Sequence, residues 1–151
     1  MNTERLDWHV TMHFLDDIPP SNQSMTWQEH VFPVLENLSL DSVAGFKTSF
    51  DELIQRVNQQ PGGYAEGDGS IGIVGPEGDW KIVGTLYEMQ DEIIHVELLG
   101  NGPSDILRWL IEALDCQSDQ CVVQVLQAGF FIGFDAFQNW NDHLRFPRNR
   151  P

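Results

Sequence analysis

Three histidines and a glutamate are the residues whose types and spacing could do chemistry together. His9 and His13 share the polar side of an alternating segment with Asp7 and Thr11, and His95 and Glu97 hold the corresponding side of another. If the two segments pair as strands, three imidazoles and a carboxylate meet on one patch, a donor set suited to zinc or iron. The spacing works against a simple chelate. Residues four apart on a strand are separated by about 13 Å at roughly 3.3 Å per residue, so His9 and His13 need help from elsewhere to close on one ion. The competing reading is solvated histidines on an open sheet face. His30 and His143 lie near expected helices and have no visible partner.

Other chemical motifs fail on context. Gly67-Asp68-Gly69-Ser70-Ile71-Gly72 matches a dinucleotide loop letter by letter. Such a loop works between a strand and a helix whose N-terminus receives pyrophosphate. Here a strand follows, and Glu66 and Asp68 repel phosphate. Read as a calcium loop with Gly69 in the sixth place, the same stretch puts Tyr64 and Gly75 where carboxylates are required. There is no Gly-x-Ser-x-Gly, and neither Cys116 nor Cys121 adjoins a histidine. Two cysteines are too few for a disulfide scaffold, so both are expected as reduced, buried thiols.

What remains is charge. Eight Lys and Arg against 23 Asp and Glu give a formal −15 in 151 residues. A field of that sign repels nucleic acid and anionic lipid and favours a basic protein partner. It also leaves little to clamp an anionic metabolite. Acidic residues gather on expected connections: Asp16 and Asp17, Glu66 and Asp68 beside Tyr64, Glu77 and Asp79 beside Trp80, and Asp91 with Glu92. An aromatic anchor flanked by carboxylates suits a basic groove, and these ten residues form the expected binding surface. The leading reading is a non-enzymatic acidic binding protein of the inhibitor or immunity type, without a cofactor. A second is a small metal protein using His9, His13, His95 and Glu97. A third is a structural subunit whose acids only keep it dispersed.

The elements that position these residues follow from periodicity. Leu6, Trp8, Val10, Met12 and Phe14 alternate strictly, which a strand with one buried face explains. Thr26-Trp27-Gln28-Glu29 has capping-box spacing and predicts a helix over residues 26–38, kinked or shortened at Pro33. Ser49-Phe50-Asp51-Glu52 predicts a second, with Leu53, Ile54 and Val57 inward, and residues 42–46 between them form a short strand or a connection.

Residues 61–79 hold seven glycines and two prolines and divide this helical half from strands expected over 70–74, 80–87 and 92–99, joined as a meander. Ile106, Leu107, Trp109, Leu110, Ala113 and Leu114 make a wide stripe at helical spacing. Residues 121–126 read as a buried strand, 128–134 are ambiguous, and Asp135 opens a last helix with Phe137, Trp140 and Leu144 inward. The fold class is therefore α+β: an antiparallel sheet of about four to six strands with helices mainly on one face. Residues 1–144 form one acidic domain, and 145–151, with Arg145, Arg148 and Arg150, form a basic tail expected to be flexible. The first ten residues lack the apolar core of a secretory signal and no run is long enough to cross a bilayer, so the expected location is cytoplasmic.

Overall fold

The alternation of the first segment becomes strand β1 (Trp8–Phe14), in which Trp8, Val10, Met12 and Phe14 are at most 2% exposed. In the computed structural model the described residues are 7–36, 38 and 45–142. The basic tail, His143, Leu144 and most of the 42–46 connection lie outside them. After β1 come β2 (Gln23–Trp27), β3 (His30–Val34), α1 (Phe50–Gln59), β4 (Gly63–Ala65), β5 (Ser70–Val74), β6 (Lys81–Met89) and β7 (Glu92–Asn101). The chain closes with α2 (Ser104–Ala113), β8 (Cys121–Val125), β9 (Phe130–Gly133) and α3 (Phe134–Trp140).

The main sheet is antiparallel throughout and has seven strands in the order β4-β5-β6-β7-β1-β8-β9, more than the sequence suggests. The additional strands come from Gly63–Ala65, inside the glycine-rich stretch, and from the ambiguous apolar run that becomes β9. One face of this sheet packs with all three helices into a single core containing Leu53, Val57, Leu107, Leu110, Phe137 and Trp140. Ser49 caps α1, its hydroxyl accepting from Glu52 N at 3.2 Å, a contact worth about 1 kcal/mol. The other face is open over β5, β6 and β7 and at His9 of β1, while Thr11 and His13 of β1 are buried. Over β8 and β9 it is covered by a small cluster of Leu15, Leu35 and Val122 with Ile18, Leu38 and Phe131.

The helix expected over 26–38 is absent. The same residues form the β2–β3 hairpin, turning at Gln28 and Glu29 with φ of 51° and 65°. Phe32 and Val34 alternate inward, and the Phe32 ring lies tilted 5.1 Å from Phe130 and edge-on 5.6 Å from Trp140. Trp27 adds a contact at 5.4 Å to Trp140, so the hairpin is docked by aromatic rings against β9 and α3. Pro33 pairs with Ser24. That pair falls between hydrogen-bonded pairs when counted from a two-residue turn, where a missing N–H costs nothing.

Candidate functional site

The open face is laid out in rows by the strand register. Tyr87, His95 and His13 lie opposite one another in one row, Thr85, Glu97, Thr11 and Gln124 in the next, and Val83, Leu99 and His9 in the third. The sheet therefore brings together all four residues of the metal reading, but in two separate arrangements.

In the first, His9 Nε2 meets Glu97 Oε2 at 2.5 Å, and Tyr87 donates to Glu97 Oε1 at 2.8 Å. His9 and then Tyr87 hold the Glu97 carboxyl below the usual carboxylate range, and Glu97 in turn raises the Tyr87 phenol. In the second, His13 is 6% exposed, its Nε2 lies 2.8 Å from Thr11 Oγ1, and its ring faces His95 at 5.3 Å. The Thr11 hydroxyl donates to Gln124 Oε1 at 3.4 Å, so His13 Nε2–H is the donor to Thr11. Burial, with a smaller contribution from His95, pushes His13 down to about 4. His95 is also lowered by burial, opposed by Glu97, and lies under the Tyr87 ring at 4.4 Å. Both imidazoles are thus neutral at pH 7. Among the described residues no three His, Cys, Asp or Glu side chains are grouped to hold a metal.

Beside Glu97 the open face sinks into a groove of about 360 Å³ crossing from Tyr64 over Val83 and Leu99 to His9, with Ser70 and Thr85 along it. Among the described residues no Lys or Arg lines it. Tyr64 reaches it because Gly72, its partner on β5, has no side chain: a Cβ there would lie 2.2 Å from the Tyr64 ring.

The acidic residues divide between the two ends of the sheet. Asp16 and Asp17 follow β1, Glu66 and Asp68 form the β4–β5 turn, and Asp91 and Glu92 lie at the β6–β7 turn. Antiparallel order puts these six at one end. Glu88 joins them, its carboxylate accepting from Asp91 N at 3.1 Å, and so do Asp51 and Glu52, because α1 starts where Phe50 N donates to Asp91 O. From the sequence Asp51 and Glu52 are expected only as part of a helix start and Glu88 lies between the two expected strands, and nothing local in the sequence links those positions. Two bases lie near this end among the described residues: Lys47, 5.7 Å above the Phe14 ring, and Arg56, paired with Glu52 at 3.4 Å.

Glu77, Asp79 and Trp80 lie apart, on the β5–β6 connection at the opposite end, and Trp80 packs against the core. Tyr64 is 40% exposed on the open face. Gly67 to Gly69 lie in the turn between two strands and Ser70 opens β5, so the helix a dinucleotide loop requires is absent there.

Cys116 and Cys121 are free and buried. The hydrogen bond that the Cys121 thiol makes to Cys116, together with burial, drives Cys121 well above its ordinary range, which disfavours thiolate chemistry. Among the described residues no helix is long and apolar enough to cross a membrane. No protein-family model, curated protein or solved structure matches the chain.

Proposed function

We propose that this is a non-enzymatic binding protein, of the inhibitor or immunity type, that meets a basic protein partner at the acidic end of its sheet. One observation carries the reading: strand order delivers Asp16, Asp17, Glu66, Asp68, Asp91 and Glu92, which are far apart in sequence, to the same end. Neighbouring strands lie about 4.8 Å apart, so the β4–β5 and β6–β7 turns are separated by about 10 Å. That is close to the Debye length of about 8 Å at physiological salt, so their fields overlap in front of the protein. Such a field speeds encounter with a cationic surface and fixes its orientation. Short hairpin turns between paired strands hold Glu66, Asp68, Asp91 and Glu92, which limits the ordering needed on binding.

The test is binding to lysozyme, as a basic model protein, over a range of salt. Neutralising Asp68→Asn, Asp91→Asn and Glu92→Gln together should weaken binding at least about fivefold and flatten its salt dependence. Glu77→Gln with Asp79→Asn at the other end should change it by less than about twofold. Equal losses from the two sets would mean that net charge alone is read, and the assignment of the end would be wrong.

A further inference from the structure

We infer that the groove on the open face receives an arginine side chain of the basic partner, with its guanidinium on Glu97 and its methylenes over Leu99 and Val83. The inference rests on the binding-protein reading and specifies what the partner presents.

The groove crosses from β4 to β1, four strand spacings or about 19 Å, long enough for an extended side chain and the backbone that carries it. Its floor is apolar at Val83 and Leu99, and Leu99 is 44% exposed. Its polar side is Glu97, one row away, with the Thr85 hydroxyl directly opposite on β6. Each Glu97 oxygen has one partner already, His9 on Oε2 and Tyr87 on Oε1. A carboxylate offers about four lone-pair sites, so one remains on each oxygen. Two adjacent acceptors held in place from both sides match the fork of a guanidinium better than the single point of an ammonium. His9 and Tyr87 also prevent the carboxylate from rotating away.

Charge complementarity points the same way. Among the described residues no Lys or Arg lines the groove, and at its β5 side Ser70 N donates to Asp68 at 2.9 Å, which places a member of the acidic end at the groove's border. A basic surface drawn to that end thus arrives beside the groove. A ligand without donors would leave the remaining Glu97 acceptors unpaired, a neutral donor would pair without the charge assistance, and an anion would be repelled.

The probes are acetyl-Gly-Arg-Gly-amide, its lysine counterpart and its citrulline counterpart, which is isosteric and uncharged. Chemical-shift titration of the full chain should show the arginine peptide moving Thr85, Glu97 and Leu99 resonances, with the lysine peptide weaker and citrulline silent. Glu97→Gln should lower the arginine-peptide affinity by at least about tenfold, the usual worth of a charge-assisted pair. Leu99→Lys, a change at an exposed position, should do the same without touching the His9 and Tyr87 contacts.

Citrulline binding as tightly as arginine, or Leu99→Lys and a folded Glu97→Gln both staying within about twofold of the parent, would overturn the inference. If lysozyme binding responds to the acidic-end variants while the peptides leave the groove unmoved, the groove assignment falls and the binding reading stands. If the peptides bind but lysozyme ignores the acidic end, the groove takes free guanidinium compounds and a partner-derived arginine is ruled out.

Discussion

His13 and His95 face each other across the β1–β7 pair with ring centroids 5.3 Å apart, and His13 is almost wholly enclosed. Enclosure favours the neutral ring, so folding lowers the His13 pKa from 6.5 to about 4. Between those values the unfolded chain binds a proton that the folded chain refuses. Stability is therefore full above about pH 6.5, falls as the pH drops towards 4, and levels off below that. The size is bounded by about 1.4 kcal/mol per pH unit, roughly 3 kcal/mol in all. His13→Gln keeps a donor for Thr11 but cannot titrate. Urea midpoints at about pH 5 and pH 7.5 should differ by clearly less in this variant than in the parent, and an unchanged difference would remove His13 from the acid response.

Glu29 occupies the second position of the β2–β3 turn with φ of 65°. A left-handed conformation costs a side-chain residue about 1 kcal/mol, and glycine is the preferred residue there. Glu29→Gly should raise stability by about 0.5 to 1 kcal/mol. In a helix over 26–38 the same change would lower it by about 1 kcal/mol. A thermal-melt comparison reads the sign directly, and a drop would contradict the hairpin.

This segment also shows where sequence reasoning stops. Strand β1 was legible because it alternates over its own length, β5, β6 and β7 because short apolar runs are bounded by polar turns, and α1 and α2 because their stripes and the Ser49 cap are local. The 23–34 hairpin was not. Its turn lacks glycine and asparagine, Thr26 and Glu29 imitate a capping box, and its stability comes from Phe130 and Trp140, about 100 residues away. The candidate site divides in the same way. That His9, His13, His95 and Glu97 share a face follows from period two, whereas the pairing of His9 with Glu97 needs the β1–β7 register, which places Thr11 opposite Glu97 and His13 opposite His95. The gathering of six acids at one end depends on strand order, to which no single segment contributes enough to be read.

Arg56 ties the ends of two helices together. Its Nη1 donates to Ala113 O at 2.5 Å, to Thr48 Oγ1 at 3.2 Å and to Asp115 Oδ2 at 3.4 Å, and the Thr48 hydroxyl itself donates to Asp115 at 2.5 Å. Ala113 O lies at the C-terminus of α2, where carbonyls lack helical partners and a cation is favoured. Arg56→Ala should cost about 1 to 3 kcal/mol. Nη2 holds Glu52 Oε2 at 3.4 Å on the other side, so Arg56→Lys should recover less than half of that, since a single ammonium nitrogen cannot occupy both places of the guanidinium at once. Full recovery by lysine in urea unfolding would show that only charge is required there.

Gly63 and Gly72 both admit no Cβ without a shift, yet they should respond differently to alanine. At Gly63 the added atom meets Val57 O at 2.2 Å and Gln60 O at 3.0 Å, which are backbone atoms at the end of α1. They cannot move without breaking the α1–β4 join, so Gly63→Ala should cost at least about 2 kcal/mol, in the range of overpacked sites. At Gly72 the atom meets the outer part of the Tyr64 ring, a side chain 40% exposed that can swing off the sheet. The backbone gain of alanine over glycine in a strand, about 0.5 to 1 kcal/mol, offsets most of that displacement. Gly72→Ala should therefore leave the urea midpoint nearly unchanged while shifting the Tyr64 ring resonances, because its effect falls on the wall of the groove and not on the core. Comparable destabilisation at the two positions would mean that the Tyr64 ring is held as firmly as backbone, making it a structural element of the edge strand and removing the adaptable wall.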